Sequence, residues 1–174
     1  MKRLLVTAVT ASALLAACAG GTAAPVSGTI PITAQDYSFS GVPDVVASGA
    51  QLTLTNASEA EFHEMVVMRI VDGETRTLDE LLALPEAESE SLAEFQGVLV
   101  AFPGEDAINP EGGDASVTVT EPGRYAIFCF IPQGADPEAV RTAMTAPEGE
   151  GPELEGGPPH FTLGMATEFQ VEAP

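Results

Sequence analysis

RYAIFCFI, residues 124–131, reads as a β-strand that is apolar on both faces and carries one cysteine, Cys129, between Phe128 and Phe130. Such a strand belongs in the interior, covered on each side. The EPG turn at 121–123 separates it from a strand at 115–120. Downstream, Asp136 and Pro137 make a helix start, cap then first-turn proline, for a short helix over 138–144.

Toward the N-terminus, QLTLTN (51–56) alternates as a half-buried strand should, and FHEMVVMRIV (62–71) is apolar enough for a central strand. Residues 30–39 carry a strand pattern that stops at a Gly-Val-Pro break, and Val45 and Val46 precede a turn at Ser48 and Gly49. Between 75 and 95 the period changes. Thr77 and Glu80 form a capping box ahead of Leu81 and Leu82, Pro85 ends that helix, and a further helical turn or two follows over 86–95. Residues 97–101 return to strand, 145–159 are too rich in Gly, Pro and Glu to pack a core, and 161–171 finish the chain as strand. Roughly seven strands, Gly/Pro turns, short helical insertions and no regular βαβ unit predict an all-β, antiparallel sandwich.

The first eighteen residues are a different object. Lys2 and Arg3 precede LLVTAVTASALLAA, an apolar run that ends at Cys18 and is too short to cross a bilayer. LLAAC is similar to the bacterial lipobox, with Leu15 three residues before the cysteine. That resemblance implies cleavage before Cys18, lipidation of its thiol, and export to the periplasm or cell surface, anchored in a lipid bilayer. An ordinary secretory peptide with an incidental cysteine is the alternative. The expected organisation is a signal peptide over 1–17, lipidated Cys18 and a small-residue tether over 18–29, and one domain over 30–174.

Without residues 1–17, four arginines face 26 carboxylates and no lysine remains, a formal charge of about −22. A duplex or an anionic lipid surface repels such a chain, which excludes nucleic-acid binding. The acid serves solubility, or it steers a protein partner with a cationic surface. The glutamates at 86–94 and 148–155 lack the ligand spacing of a calcium site and read as solvated charge. No CxxC motif, phosphate loop or Ser/His/Asp arrangement is present.

Lipidation of Cys18 leaves Cys129 alone, so no intramolecular disulfide forms. A free thiol in an oxidising compartment is a liability unless it is buried or held by a metal. Beside it the chain has only two histidines, His63 and His160, and all three lie in or beside apolar strands. Polar side chains there cost free energy unless paired. Two imidazoles, a thiolate and a thioether are the soft donor set of a blue-copper electron-transfer site. A hydrogen-bonded strand histidine and an inert buried thiol are the plainer readings of the same residues.

LTNASEAEFHE, residues 54–64, runs from a strand ending in Asn56 to His63; GRYAIFCFIP, 123–132, is a Gly-x-Tyr strand reaching Cys129; HFTLGM, 160–165, separates His160 and Met165 by four residues, with Gly164 before the methionine. In this order the motifs resemble the cupredoxins, small secreted or anchored blue-copper proteins with a Greek-key β-sandwich, over roughly residues 30–171. The resemblance implies one type 1 copper ion held by His63, Cys129, His160 and a weakly bound axial Met165. It implies a carrier of single electrons and not an enzyme. Copper storage or delivery on the same fold, or a metal-free interaction module, is the alternative; two histidines are too few for a multicopper oxidase.

Two departures from the family stand out. Thirty residues separate Cys129 from His160, where the family has a tight loop. Long insertions cost little closure entropy, and Pro158 and Pro159 stiffen the returning chain. His63 is followed by Glu64 instead of the usual asparagine, whose amide ties the ligand loops together; an ionised glutamate cannot donate that bond.

Overall fold

A computed structural model describes residues 24–146 and 153–173. The expected signal peptide over 1–17, Cys18 and most of the expected tether lie outside the described residues, as does part of the acidic 145–159 segment. In chain order the strands are β1 (Thr29–Gln35), β2 (Ser38–Ser40), β3 (Val45–Ala47), β4 (Ala50–Asn56), β5 (His63–Ile70), β6 (Ala93–Ala101), β7 (Val117–Val119), β8 (Gly123–Phe128) and β9 (Ala166–Glu172). The helices are α1 (Leu78–Leu82), α2 (Glu86–Ser89) and α3 (Pro137–Thr145). The strands form two sheets, β2-β1-β4-β7 and β3-β9-β8-β5-β6. This is the all-β sandwich with short helical insertions that the sequence predicts.

The alternation in β4 buries Leu52 and Leu54 and exposes Gln51 and Thr55. These leucines meet Ile30 and Ile32 of β1, and Met65, Val67, Tyr125, Ile127 and Phe169 from the other sheet, in one core. RYAIFCFI is apolar on both faces because β8 has a neighbour on each. Tyr125 and Ile127 face the core between the sheets, while Ala126 and Phe128 pack beneath Ile70 and Leu81, a second cluster joined by Leu82 and Leu92. β5 sits between β6 and β8, the central place its composition predicts. Among the described residues no helix is long and apolar enough to cross a membrane.

Several local expectations are corrected. The sheets are not wholly antiparallel: β1 pairs with β4, and β3 with β9, in parallel. The chain visits the opposite sheet as β3 between β1 and β4, so it returns in the same direction without a crossover helix. Residues 30–39 are a hairpin rather than one strand, broken at Tyr37, which has a φ of +59°. β6 begins at Ala93, so helix ends earlier than the 86–95 reading, after a 3-10 turn at Glu90–Leu92. Residues 161–165 are not strand: a 3-10 turn over His160–Leu163 precedes β9. The Thr77/Glu80 capping box and the Asp136 cap with Pro137 behind it are both formed.

Candidate metal centre

Three chain segments meet at one end of the sandwich. His63 opens β5, Cys129 follows the last residue of β8, and His160 opens the 3-10 turn before β9. All three side chains are fully buried, and so is that of Met165. His63 Nδ1 lies 3.2 Å from His160 Nδ1, and His160 Nδ1 lies 3.4 Å from Cys129 Sγ. One donor atom from each of the three residues falls within 4.8 Å of the others.

These spacings suit a single ion. A divalent d-block ion with metal–nitrogen bonds of about 2.0–2.1 Å and a metal–sulfur bond of about 2.3 Å separates its donors by roughly 3.4–3.8 Å. The side chains need to open by a few tenths of an ångström. Three donor groups converge on one point inside an apolar core and face one another rather than backbone or solvent. His63 Nε2 and His160 Nε2 are buried without a hydrogen-bond partner, so the rings turn their Nδ1 atoms inward at the expense of the outer ones.

Backbone bonds lock the segments together. Met165 N–H donates to His160 O (3.0 Å), Cys129 N–H to Met165 O (3.3 Å) and Phe161 N–H to Cys129 O (2.8 Å). Met165 is therefore tied to both neighbouring candidates through its main chain. Gly164 ends the turn at φ +111°, a left-handed conformation that favours glycine, which accounts for the Gly before the methionine. On the other side, Asn56 Nδ2 donates to Glu61 O (2.9 Å) and Ala101 O (3.0 Å), and its Oδ1 accepts from Ser58 N–H (2.8 Å). The loop that delivers His63 is thus fixed to β4 and β6.

The long insertion is closed at its base. His160 N–H donates to Ile131 O (3.0 Å), Gln133 N–H to Pro158 O (3.1 Å) and Gly157 N–H to Gln133 O (2.8 Å), while Pro132 and Pro159 pair as an antiparallel bridge. The chain leaving Cys129 and the chain arriving at His160 form a short ladder, and only beyond it does the insertion open out. Within it, Val140 and Ala135 join the core, and the Arg141 guanidinium lies 3.6 Å from the Phe102 ring centroid and pairs with Glu105.

Glu64 takes over the asparagine's role with reversed polarity. Its Oε1 accepts Phe130 N–H (2.8 Å), and its own N–H donates to Cys129 Sγ (3.4 Å). The residue after the first histidine still ties the two ligand segments together, with the carboxylate as acceptor. Burial pushes its carboxyl up to about 7, opposed by the Phe130 N–H. Burial also pushes the Cys129 thiol up to about 12, helped by the Glu64 charge, and pushes His63 down to about 4, helped by His160. His160 is lowered by burial, against the pull of Glu61 and Asp36.

The residues named from sequence are thus three that converge as donors and a fourth, Met165, buried and hydrogen-bonded to two of them; Cys18 lies outside the described residues. The sequence reading missed Glu61, whose Oε2 is 3.6 Å from His160 Nε2, and Tyr37, whose ring stands edge-on to His160 at 5.0 Å between centroids. No sequence signal marked Glu61, one of 26 acidic residues with no motif around it.

A scan against protein-family models finds no match, and a search of curated proteins finds none. Among solved structures the chain is similar to dithionite-reduced auracyanin from the photosynthetic bacterium Roseiflexus castenholzii, at 18% identity over 84% of this chain and 98% of that one, with a TM-score of 0.46. It is also similar to auracyanin A, described as a blue copper protein of Chloroflexus aurantiacus, at 18% identity over 86% and 100% of the two chains, with a TM-score of 0.40. At such identities and TM-scores these are distant likenesses, and the metal centre stands on its own geometry.

Proposed function

We propose that this protein is an exported, membrane-anchored carrier of single electrons in which His63, Cys129 and His160 would hold one type 1 copper ion, with Met165 as a fourth, weaker donor. The observation that carries the reading is the convergence of two Nδ1 atoms and one Sγ, at 3.2 and 3.4 Å, in a fully buried pocket. The donor set of imidazoles and thiolate is soft and suits copper. A bound copper ion supplies a one-electron couple and changes no substrate bond.

The chain's own residues supply the rest. The Glu64 N–H donates to Cys129 Sγ and stabilises it as thiolate. The bonds among Cys129, His160 and Met165 hold the donors in one arrangement, so that gain and loss of an electron require little movement. Complete burial of both imidazoles keeps water from the site. Lipidation of Cys18 places the domain at a bilayer surface, and the acidic body favours a redox partner with a cationic face.

The direct test is a visible absorption spectrum of the purified protein after addition of Cu(II) and removal of excess metal. An intense blue or green thiolate-to-copper band at one copper per chain is the expected result. A weak d–d band, or no retained copper, refutes the assignment. Cys129→Ser should remove the intense band while far-UV circular dichroism reports an unchanged sandwich.

A further inference from the structure

Resting on the copper reading, we propose that Glu61 is a positioning residue for ligand His160: its carboxylate accepts the Nε2–H, fixes which nitrogen faces the metal, and biases the site toward the oxidised ion. His160 Nδ1 faces His63 and Cys129, and with a metal ion on that nitrogen the ring proton sits on Nε2. That Nε2 is buried without a hydrogen bond, and a buried N–H left unpaired is costly. Glu61 Oε2 stands 3.6 Å away, one small ring rotation from a charge-assisted bond. Among the described residues no carboxylate stands within 4.0 Å of His63 Nε2, so the two imidazoles are unequal.

Glu61 is itself held for the task. Its N–H donates to Ser58 Oγ (3.0 Å) and its C=O accepts from Asn56 Nδ2 (2.9 Å), so its backbone is clamped on both sides. The same Oε2 also accepts Gly134 N–H (3.2 Å), where the chain turns into the insertion at φ +68°. One carboxylate therefore joins the loop before His63, the start of the long insertion and the second histidine. A tight ligand loop would fix His160 through the chain alone; here a side chain does so across space. Asp36 lies near enough to act on both imidazoles electrostatically, but it is exposed and makes no bond to either ring.

A negative acceptor on a ligand's outer N–H raises the imidazole's donor strength. That favours Cu(II) over Cu(I) and lowers the potential. The test compares Glu61→Gln with Glu59→Gln, an exposed glutamate of the same loop whose loss removes equal charge. In copper-loaded protein, Glu61→Gln should weaken Cu(II) relative to Cu(I) about tenfold, a rise of about 59 mV, with the control nearly still. In the Cu(I) form, nuclear magnetic resonance should find the wild-type His160 Nε2–H protected from exchange, and exposed or shifted in Glu61→Gln. Equal potentials in the two variants, or a wild-type His160 proton no better protected than that of His63, overturn the role of Glu61 alone. A wild type that binds no copper overturns the metal reading first.

Discussion

Cys129 and the two histidines are buried to the last ring atom, and burial decides their protonation before an ion arrives. The thiol is pushed up to about 12 and His63 down to about 4, so at neutral pH the metal-free pocket holds a neutral thiol and neutral imidazoles. Binding must then expel one proton, from sulfur. At pH 8.5, where Glu64 at about 7 is already ionised, titration calorimetry in buffers of different ionisation enthalpy should give one proton released per copper. Because the metal competes with that proton, apparent affinity should climb about tenfold per pH unit above about pH 8. Release of two or more protons would show that the imidazoles are charged in the empty pocket. The three converging side chains were legible because histidine and cysteine are so scarce: His63, His160 and Cys129 are all that remain once Cys18 is set aside. Glu61 was not legible for the opposite reason. It is one carboxylate among 26 acidic residues, and only the fold shows which of them faces a ring nitrogen.

At the scale of elements, the ladder between 129–133 and 157–161 separates the metal site from the body of the insertion. α3 lies beyond that ladder, capped by the Asp136 side chain on Ala139 N–H (2.9 Å) and anchored by Val140. Asp136→Ala should weaken α3 by about 1 kcal/mol, seen as faster hydrogen exchange there, while the visible copper band stays where it is. A displaced band would mean that the helix, and not the ladder, positions His160. The stretch between β5 and α1 is held by Arg76, which bonds Glu74 (2.7 Å) and Glu88 (3.2 Å) and offers its carbonyl to Arg124. Side-chain hydrogen bonds from Arg76 hold the Glu74 carboxyl down at about 2, against an ordinary value of 4.5. A lowered acid stabilises the fold above its unfolded-state value and loses that contribution as pH falls toward the folded one. Wild type should therefore melt slightly above Glu74→Gln at pH 6 and converge with it between about pH 4.5 and pH 2; a constant gap across that window would contradict the pairing. Most strands were legible as elements because the alternation in β4 and the apolar Tyr125–Phe128 run of β8, bounded by a Gly/Pro turn, both read as strand. Their ends were not. Tyr37 breaks 30–39 in a left-handed turn that no local residue preference announces, and the parallel pairs arise from the order in which the chain visits two sheets.

For the whole molecule, the surface charge is lopsided: Arg69, Arg76, Arg124 and Arg141 are each paired with a carboxylate, which leaves the remaining acid uncompensated. Long-range attraction to a cationic protein should then govern the encounter rate. Electron exchange with a small basic c-type cytochrome should slow steeply as ionic strength rises, and exchange with ferricyanide should quicken, both followed by stopped-flow absorbance. A rate with either reagent that ignores salt would remove charge as the guide to partner choice.

The paired backbone of Gln133 with Gly157 and Pro158 has a consequence for how this architecture can change. Two residues already in strand register can be joined by a hairpin turn of two residues, so the described residues beyond them, 134–146 and 153–156, form an appendix hung on a clasp. Lineages are free to lengthen, trim or replace the appendix, at the expense of its few core contacts, without asking the donors beneath to move. A chain built this way can acquire a second recognition surface while its redox chemistry stays as it was.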